Sequence, residues 1–196
     1  LRQPFELPTV DERARLQYIA RYVDYFGATS LAGKSIGVFQ HSAVGRELMV
    51  ELYTALGADV TALGFSDSFI PVDTEAIRPE DVSASTQWSR EYDFDAIVST
   101  DGDSDRPLIS DEHGVWMRGD VAGILVAAEL GADAVVTPVS CNSAVEKCGW
   151  FECVKRTRIG SPFVIEGMQQ VAHQGAQCVV GYEANGGFLQ HSAIEH

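Results

Sequence analysis

The sequence is short of positive charge. Fourteen Lys and Arg stand against 28 Asp and Glu, a net charge of −14. That balance argues against nucleic acid and anionic membrane surfaces as partners. Cysteine is also scarce. Cys141, Cys148, Cys153 and Cys178 form no C-x-x-C pair, which leaves zinc and thioredoxin-like chemistry unsupported. Cys153 and Cys178 sit in apolar runs and read as small core residues. The longest apolar run, 121–128, is far too short to span a bilayer. No signal peptide or transit sequence is legible, so a reduced cytoplasm is the expected compartment. G-x-G-x-x-G and G-x-S-x-G are both missing. The stretch from Gly27 to Ser35 ends in Gly-Lys-Ser like a P-loop, but five residues separate its glycines where four are needed. It also follows a helix and precedes a strand, the reverse of the required order. There is no short repeat and no low-complexity tract.

What is present is ample for a globular core. Apolar residues make up 45% of 196 positions, enough for one large domain or two small ones. Thr9 and Glu12 form a candidate capping box, after which Leu16, Ile19, Ala20, Val23 and Phe26 recur at helical spacing up to Gly27. A strand over 34–40, a polar turn at 41–43, a helix over 44–56 and a strand over 58–63 follow. An extended loop spans 67–73. Pro79 opens a helix that runs to about Tyr92, with acids in its first turn. A β-hairpin is expected where 108–110 and 115–117 flank 111–114. From Gly119 the alternation restarts: helix 120–130, strand 134–137, short helix 142–147 and strand 151–155. A helix from Ser161 to Gln174, with Ser161 as its cap, leads to a last clear strand at 177–181. Alternation of this kind predicts an α/β fold with mixed, largely parallel sheets flanked by helices. It divides into two consecutive domains, 1–118 and 119–196.

The chemistry concentrates at Asp95 to Arg106, DAIVSTDGDSDR. Ala96, Ile97 and Val98 read as a buried strand. Asp101, Asp103 and Asp105 then stand at alternate positions, with Gly102 expected to turn the backbone. Carboxylates so crowded repel one another unless a cation sits among them. Hard oxygen ligands suit Mg²⁺ or Ca²⁺, not Zn²⁺. Arg106 supplies a fixed cation shaped for a phosphate oxygen. An EF-hand would place Asp101, Asp103, Asp105 and Glu112 at positions 1, 3, 5 and 12. It would also need Gly where Arg106 stands, and a helix where a strand precedes. His41-Ser42 resembles a nucleophile pair, but Ser42 at the mouth of a helix reads better as an N-cap. Thr157 to Ser161 joins a strand to a helix. Gly160 and the helix start there could offer backbone N–H groups to an anion, with Arg158 beside them. Glu183 and Asn185 follow another strand and suit vicinal hydroxyls. Gly186 and Gly187 permit close backbone approach to a ligand.

DGDSDR resembles the magnesium-binding loop of the α-D-phosphohexomutases, the phosphoglucomutase and phosphomannomutase family. GYEANGG, from Gly181 to Gly187, resembles that family's sugar-binding loop, and the two occur in the family's order. The resemblance runs from about residue 11 to about residue 190. It implies the second and third domains of a four-domain enzyme. The phosphoserine domain and the domain that grips the distal phosphate would be missing partners from the same parent chain. The tail 190–196 would be a cut end, and the chain alone would be inactive. The implied reaction exchanges hexose 1-phosphate and hexose 6-phosphate, of mannose or glucose, through a hexose bisphosphate. The implied roles are Mg²⁺ on Asp101, Asp103 and Asp105, electrostatic catalysis by Arg106, and substrate contacts from Arg158, Glu183, Asn185 and Gly186. With so acidic a chain, any phosphate site must be locally basic, and Arg106, Arg118, Lys155, Arg156 and Arg158 are the candidates. Many family members carry His where this chain has Gly187. Two other classes compete. One is a haloacid-dehalogenase-type phosphatase, which wants Thr or Val at Ser104. The other is a non-catalytic metal- or sugar-binding module.

Overall fold

The computed structural model describes Thr9 and residues 11–192. The first half of the chain builds one sheet. Strands β1 (Ser35–Phe39), β2 (Asp59–Leu63) and β3 (Ala96–Thr100) run parallel, and β4 (Pro107–Ser110) and β5 (Trp116–Met117) add antiparallel to β3. The spatial order is β2-β1-β3-β4-β5. Successive side chains of a strand point to opposite faces, and both faces here are apolar. Ile36, Val38, Ala58 and Val98 meet Met49, Val50 and Tyr53 from helix α2 (Arg46–Ala55). Phe39, Leu63, Phe94 and Ile97 meet Trp88 of helix α3 (Pro79–Tyr92) on the other side. Helix α1 (Arg13–Phe26) buries none of its side chains and is tied to α2 by Arg15 and Glu51.

The second half repeats the plan. Strands β6 (Ala134–Pro138), β7 (Cys153–Thr157) and β8 (Val179–Tyr182) are parallel in the order β7-β6-β8. Val135, Val180 and Tyr182 face Ile124 and Ala127 of helix α4 (Gly119–Glu129) and Val145 of the short helix α5 (Ala144–Lys147). Ala134, Val136 and Val179 face Val164, Met168 and Val171 of helix α6 (Ser161–His173). The alternation expected of an α/β fold is the one the chain adopts, with two mixed sheets each flanked by helices.

Several local expectations give way to tertiary partners. The Thr9–Glu12 capping box does not form. Glu12 is helical in backbone and caps nothing, because the Asp11 carboxylate accepts the Arg13 N–H at 3.0 Å. Ser42 does not cap α2. Its Oγ accepts from Ile70 N at 2.8 Å and donates to Ile70 O at 3.3 Å, so it pins the 64–78 loop. Ser161 lies inside α6, and Gly160 takes the cap position at φ 121°, a conformation open to glycine. A further strand, β9 (Phe188–Gln190), pairs antiparallel with β8, beyond the last strand expected. Of the tail, residues 193–196 lie outside the described residues. Cys153 and Cys178 are only partly buried, at the edges of the core. Among the described residues no helix is long and apolar enough to cross a membrane.

Candidate functional site

Parallel sheets present their ligand-binding loops at the carboxyl ends of their strands. The acidic loop leaves the end of β3 there. One oxygen from each of Asp101, Asp103 and Asp105 lies within 4.8 Å of the others, the only group of three or more ligating side chains so gathered among the described residues. Asp101 is half-buried and accepts the N–H groups of Asp105 and Arg106 on Oδ1, each at 3.2 Å. Asp103 and Asp105 are open to water. Arg106 Nε stands 3.8 Å from Asp101 and 3.7 Å from Asp105, too far for hydrogen bonds and close enough to offset part of the repulsion. An all-oxygen donor set with two solvent-facing members fits a hard divalent ion that keeps several waters.

The turn in this loop is made by Ser104, not by Gly102. Ser104 takes the left-handed backbone at φ 66°, whereas Gly102 keeps a φ any residue can hold. Ser104 is held there because its Oγ accepts from Gly45 N at 2.9 Å and lies 3.0 Å from Thr100 Oγ1. Val44 N donates to Gly102 O at 3.0 Å. At the foot of the loop His41, fully buried, sets Nε2 2.9 Å from Thr100 O. Its Nδ1 has no hydrogen-bond partner among the described residues, and burial pushes its pKa below the usual imidazole range. Residues 41–45 therefore clamp the acidic loop from the neighbouring strand end. Nothing in the sequence near DGDSDR signals this.

The second loop is the hairpin turn between β8 and β9. Glu183 N donates to Gly187 O at 2.9 Å, and Gly187 N donates to Asn185 Oδ1 at 2.9 Å. The Asn185 amide oxygen is thus committed, which leaves its Nδ2 to donate outward. The half-buried Glu183 carboxylate makes no hydrogen bond among the described residues. A Cβ at Gly187 would come 3.1 Å from Asn185 Oδ1, so the absent side chain keeps that side of the turn open.

The two loops meet. Gly186, at φ 95°, lies so close to Pro107 that a Cβ would stand 3.0 Å from the Pro107 carbonyl oxygen. Pro107 directly follows Arg106. Gly119, the first residue of α4, backs onto the same turn, and a Cβ there would sit 2.2 Å from Gly186 N. Thr74, buried in the 64–78 loop, donates its hydroxyl to Asn185 O at 2.8 Å. Gly186 thus makes its close approach to the other half of the chain.

Residues 118–195 match the family described as phosphoglucomutase/phosphomannomutase, alpha/beta/alpha domain III. A phosphomannomutase from Salmonella muenchen is 47% identical over 186 residues, 95% of this chain and 39% of that protein. The chain belongs to the phosphoglucomutase/phosphomannomutase family. A phosphomannomutase from Sinorhizobium fredii is 44% identical over 88% of this chain and 36% of its own length. The chain spans under two fifths of either relative in the first case 39% and in the second 36%. The crystal structure of a phosphoglucomutase/phosphomannomutase family protein from Burkholderia thailandensis superposes with a TM-score of 0.72 at 19% identity, over 90% of this chain and 39% of that one, and shares its fold.

Among the phosphate candidates, this family member uses its cations unequally. Arg156 spends its guanidinium on Glu146 and on the carbonyls of Pro138, Cys141 and Asn142. Lys155 donates to Gln170. Arg158 is exposed beyond the edge strand β7, its guanidinium 4.1 Å over the Phe163 ring, and no hydrogen bond joins it to the acidic loop or the hairpin. Arg118 is held by Asp120, whose carboxylate is fully buried.

Proposed function

We propose that this chain supplies the metal loop and sugar loop of a phosphohexomutase that interconverts the 1-phosphate and 6-phosphate of mannose or glucose through a phosphoserine and a hexose bisphosphate. The observation that carries this reading is the junction of the two loops, with Gly186 packed on Pro107 beside the three clustered carboxylates. The phosphoserine and the grip on the distal phosphate would come from other parts of the parent protein. The cytoplasm is the proposed setting, in keeping with four free thiols.

Asp101, Asp103 and Asp105 would hold Mg²⁺. When bound, the ion neutralises charge on a transferring phosphoryl group, the main electrostatic demand of such chemistry. Arg106 adds a guanidinium at the same loop. Glu183 accepts hydrogen bonds from sugar hydroxyls, and Asn185 donates through Nδ2. An acceptor and a donor on a solvent-facing turn suit a hexose that must bind in two orientations.

In the intact protein, Glu183→Ala should lower kcat/KM roughly ten- to a hundredfold, with the melting temperature and Mg²⁺ affinity unchanged. Asp103→Asn should weaken Mg²⁺ binding in calorimetry. The 196-residue chain alone should show only background mutase turnover in a coupled assay. Near-normal kinetics for Glu183→Ala would remove the sugar loop from the reading. Equal Mg²⁺ binding by Asp103→Asn would remove the metal loop.

A further inference from the structure

Asp120 is the most deeply buried carboxylate of the second half of the chain, with no exposed surface. A buried ionised group is costly unless its partners are well placed. Its Oδ2 accepts Asn142 N at 2.8 Å, and its two oxygens meet Arg118 Nε and Nη2 at 3.2 and 3.3 Å. Arg118 itself is not buried; its side chain is 54% exposed. A fixed carboxylate therefore holds one edge of a guanidinium whose remaining donors face water.

The place matters. Gly119, next in the chain, backs directly onto Ala184 and Gly186. Arg118 feels the charge of Glu75, which follows the Thr74 that donates to Asn185 O. Through Asp120, which also holds Asn142 N, Arg118 is tied to the turn after β6, and through Gly119 it adjoins the Glu183–Gly187 hairpin. The other cations are worse placed. All five donors of Arg156 are occupied, Arg106 faces its own carboxylates, and Arg158 lies beyond the edge strand.

We propose that Arg118 binds the phosphoryl group of a hexose phosphate held at the 183–187 turn, with Asp120 as the residue that aims it. The assignment rests on the hexose-phosphate reading above. An arginine is the side chain of choice, because its planar fork can give one edge to Asp120 and the other to a phosphate. In a chain of net charge −14, one pre-aimed cation also sets where an anionic ligand can sit.

Calorimetric titration of the intact, unphosphorylated protein with mannose 1-phosphate in Mg²⁺ tests this. Arg118→Gln should lower the melting temperature, because it leaves the buried Asp120 carboxylate short of a partner, and at a temperature where the variant is fully folded should weaken binding about ten- to a hundredfold with Mg²⁺ affinity unchanged. Arg118→Lys should recover part of the loss. Asp120→Asn should weaken binding several-fold through misdirection of Arg118, and in steady state should raise KM more than it lowers kcat. Wild-type affinity in Arg118→Gln, alongside weakened binding in Glu183→Ala, would overturn the Arg118 assignment alone. A fall in Mg²⁺ affinity that tracks the loss in folded Arg118→Gln would overturn it too, as the mark of a purely structural role. If the wild-type protein bound neither mannose 1-phosphate nor glucose 1-phosphate, the hexose reading would fall and Arg118 with it.

Discussion

His41 shows how much one side chain can decide. It is sealed from water, with one ring nitrogen against Thr100 O and the other without a hydrogen-bond partner among the described residues. A proton added to Nδ1 would be buried without a partner, which is why burial holds the pKa below the ordinary 6.5. The sign follows. The unfolded chain takes up the proton first as pH falls, so the full stabilisation exists above about pH 6.5 and is lost on acidification towards the folded value. Thermal melts of the wild type should drop between pH 7 and pH 5, by about 2–4 °C for each kcal/mol lost. His41→Gln should melt lower at pH 7 and show a flatter profile over that interval. A wild-type curve that is flat from pH 7 to 5 would exclude the neutral buried imidazole.

At the scale of elements, strands were the most legible features and caps the least. β1, β3, β6 and β8 announce themselves as short apolar, β-branched runs, and their order fixes an α/β fold. The three clustered acids of the acidic loop are equally plain, because their spacing lies within five residues of sequence, from Asp101 to Asp105. The misread positions share one cause. Ser42 and Ser161 carry good local capping signals, but Ile70 claims the first and Gly160 displaces the second. β9 has three residues, too few for periodicity to speak. The loop's turn fell to Ser104 because Gly45 and Thr100 hold it there, and neither is adjacent in sequence. A paired prediction follows. Gly102→Ala should leave folding and Mg²⁺ affinity near wild type, since its Cβ would meet only Phe69 at 3.7 Å. Ser104→Ala should lose about 1 kcal/mol in denaturant melts and weaken Mg²⁺ binding, because Gly45 N would lose its acceptor. The reverse ranking of the two variants would return the turn to Gly102.

For the molecule as a whole, the site depends on contacts that sequence cannot bring together. Thr74 and Asn185 are 111 positions apart, yet one hydroxyl joins them. Thr74→Val keeps the shape and removes the donor. It should cost on the order of 1 kcal/mol in stability and weaken hexose-phosphate binding several-fold, with Mg²⁺ affinity intact. Calorimetry with each ligand separates the two effects, and unchanged sugar-phosphate binding would make Thr74 a packing residue only.

The same long contact bears on how the protein is made. Every strand pairing of the first sheet closes within residues 35–117, so the acidic loop can take shape while later residues are still inside the ribosome. The 183–187 turn is likewise held by its own local bonds, within a sheet that pairs inside residues 134–190. Its docking partners Thr74, Pro107 and Gly119 are all synthesised before it. At roughly 5–20 residues per second, the nascent chain carries an acidic loop for several seconds before the other loop can dock against it. During that interval Gly119 and Pro107 present an uncovered seam, which the 183–187 turn closes when it docks.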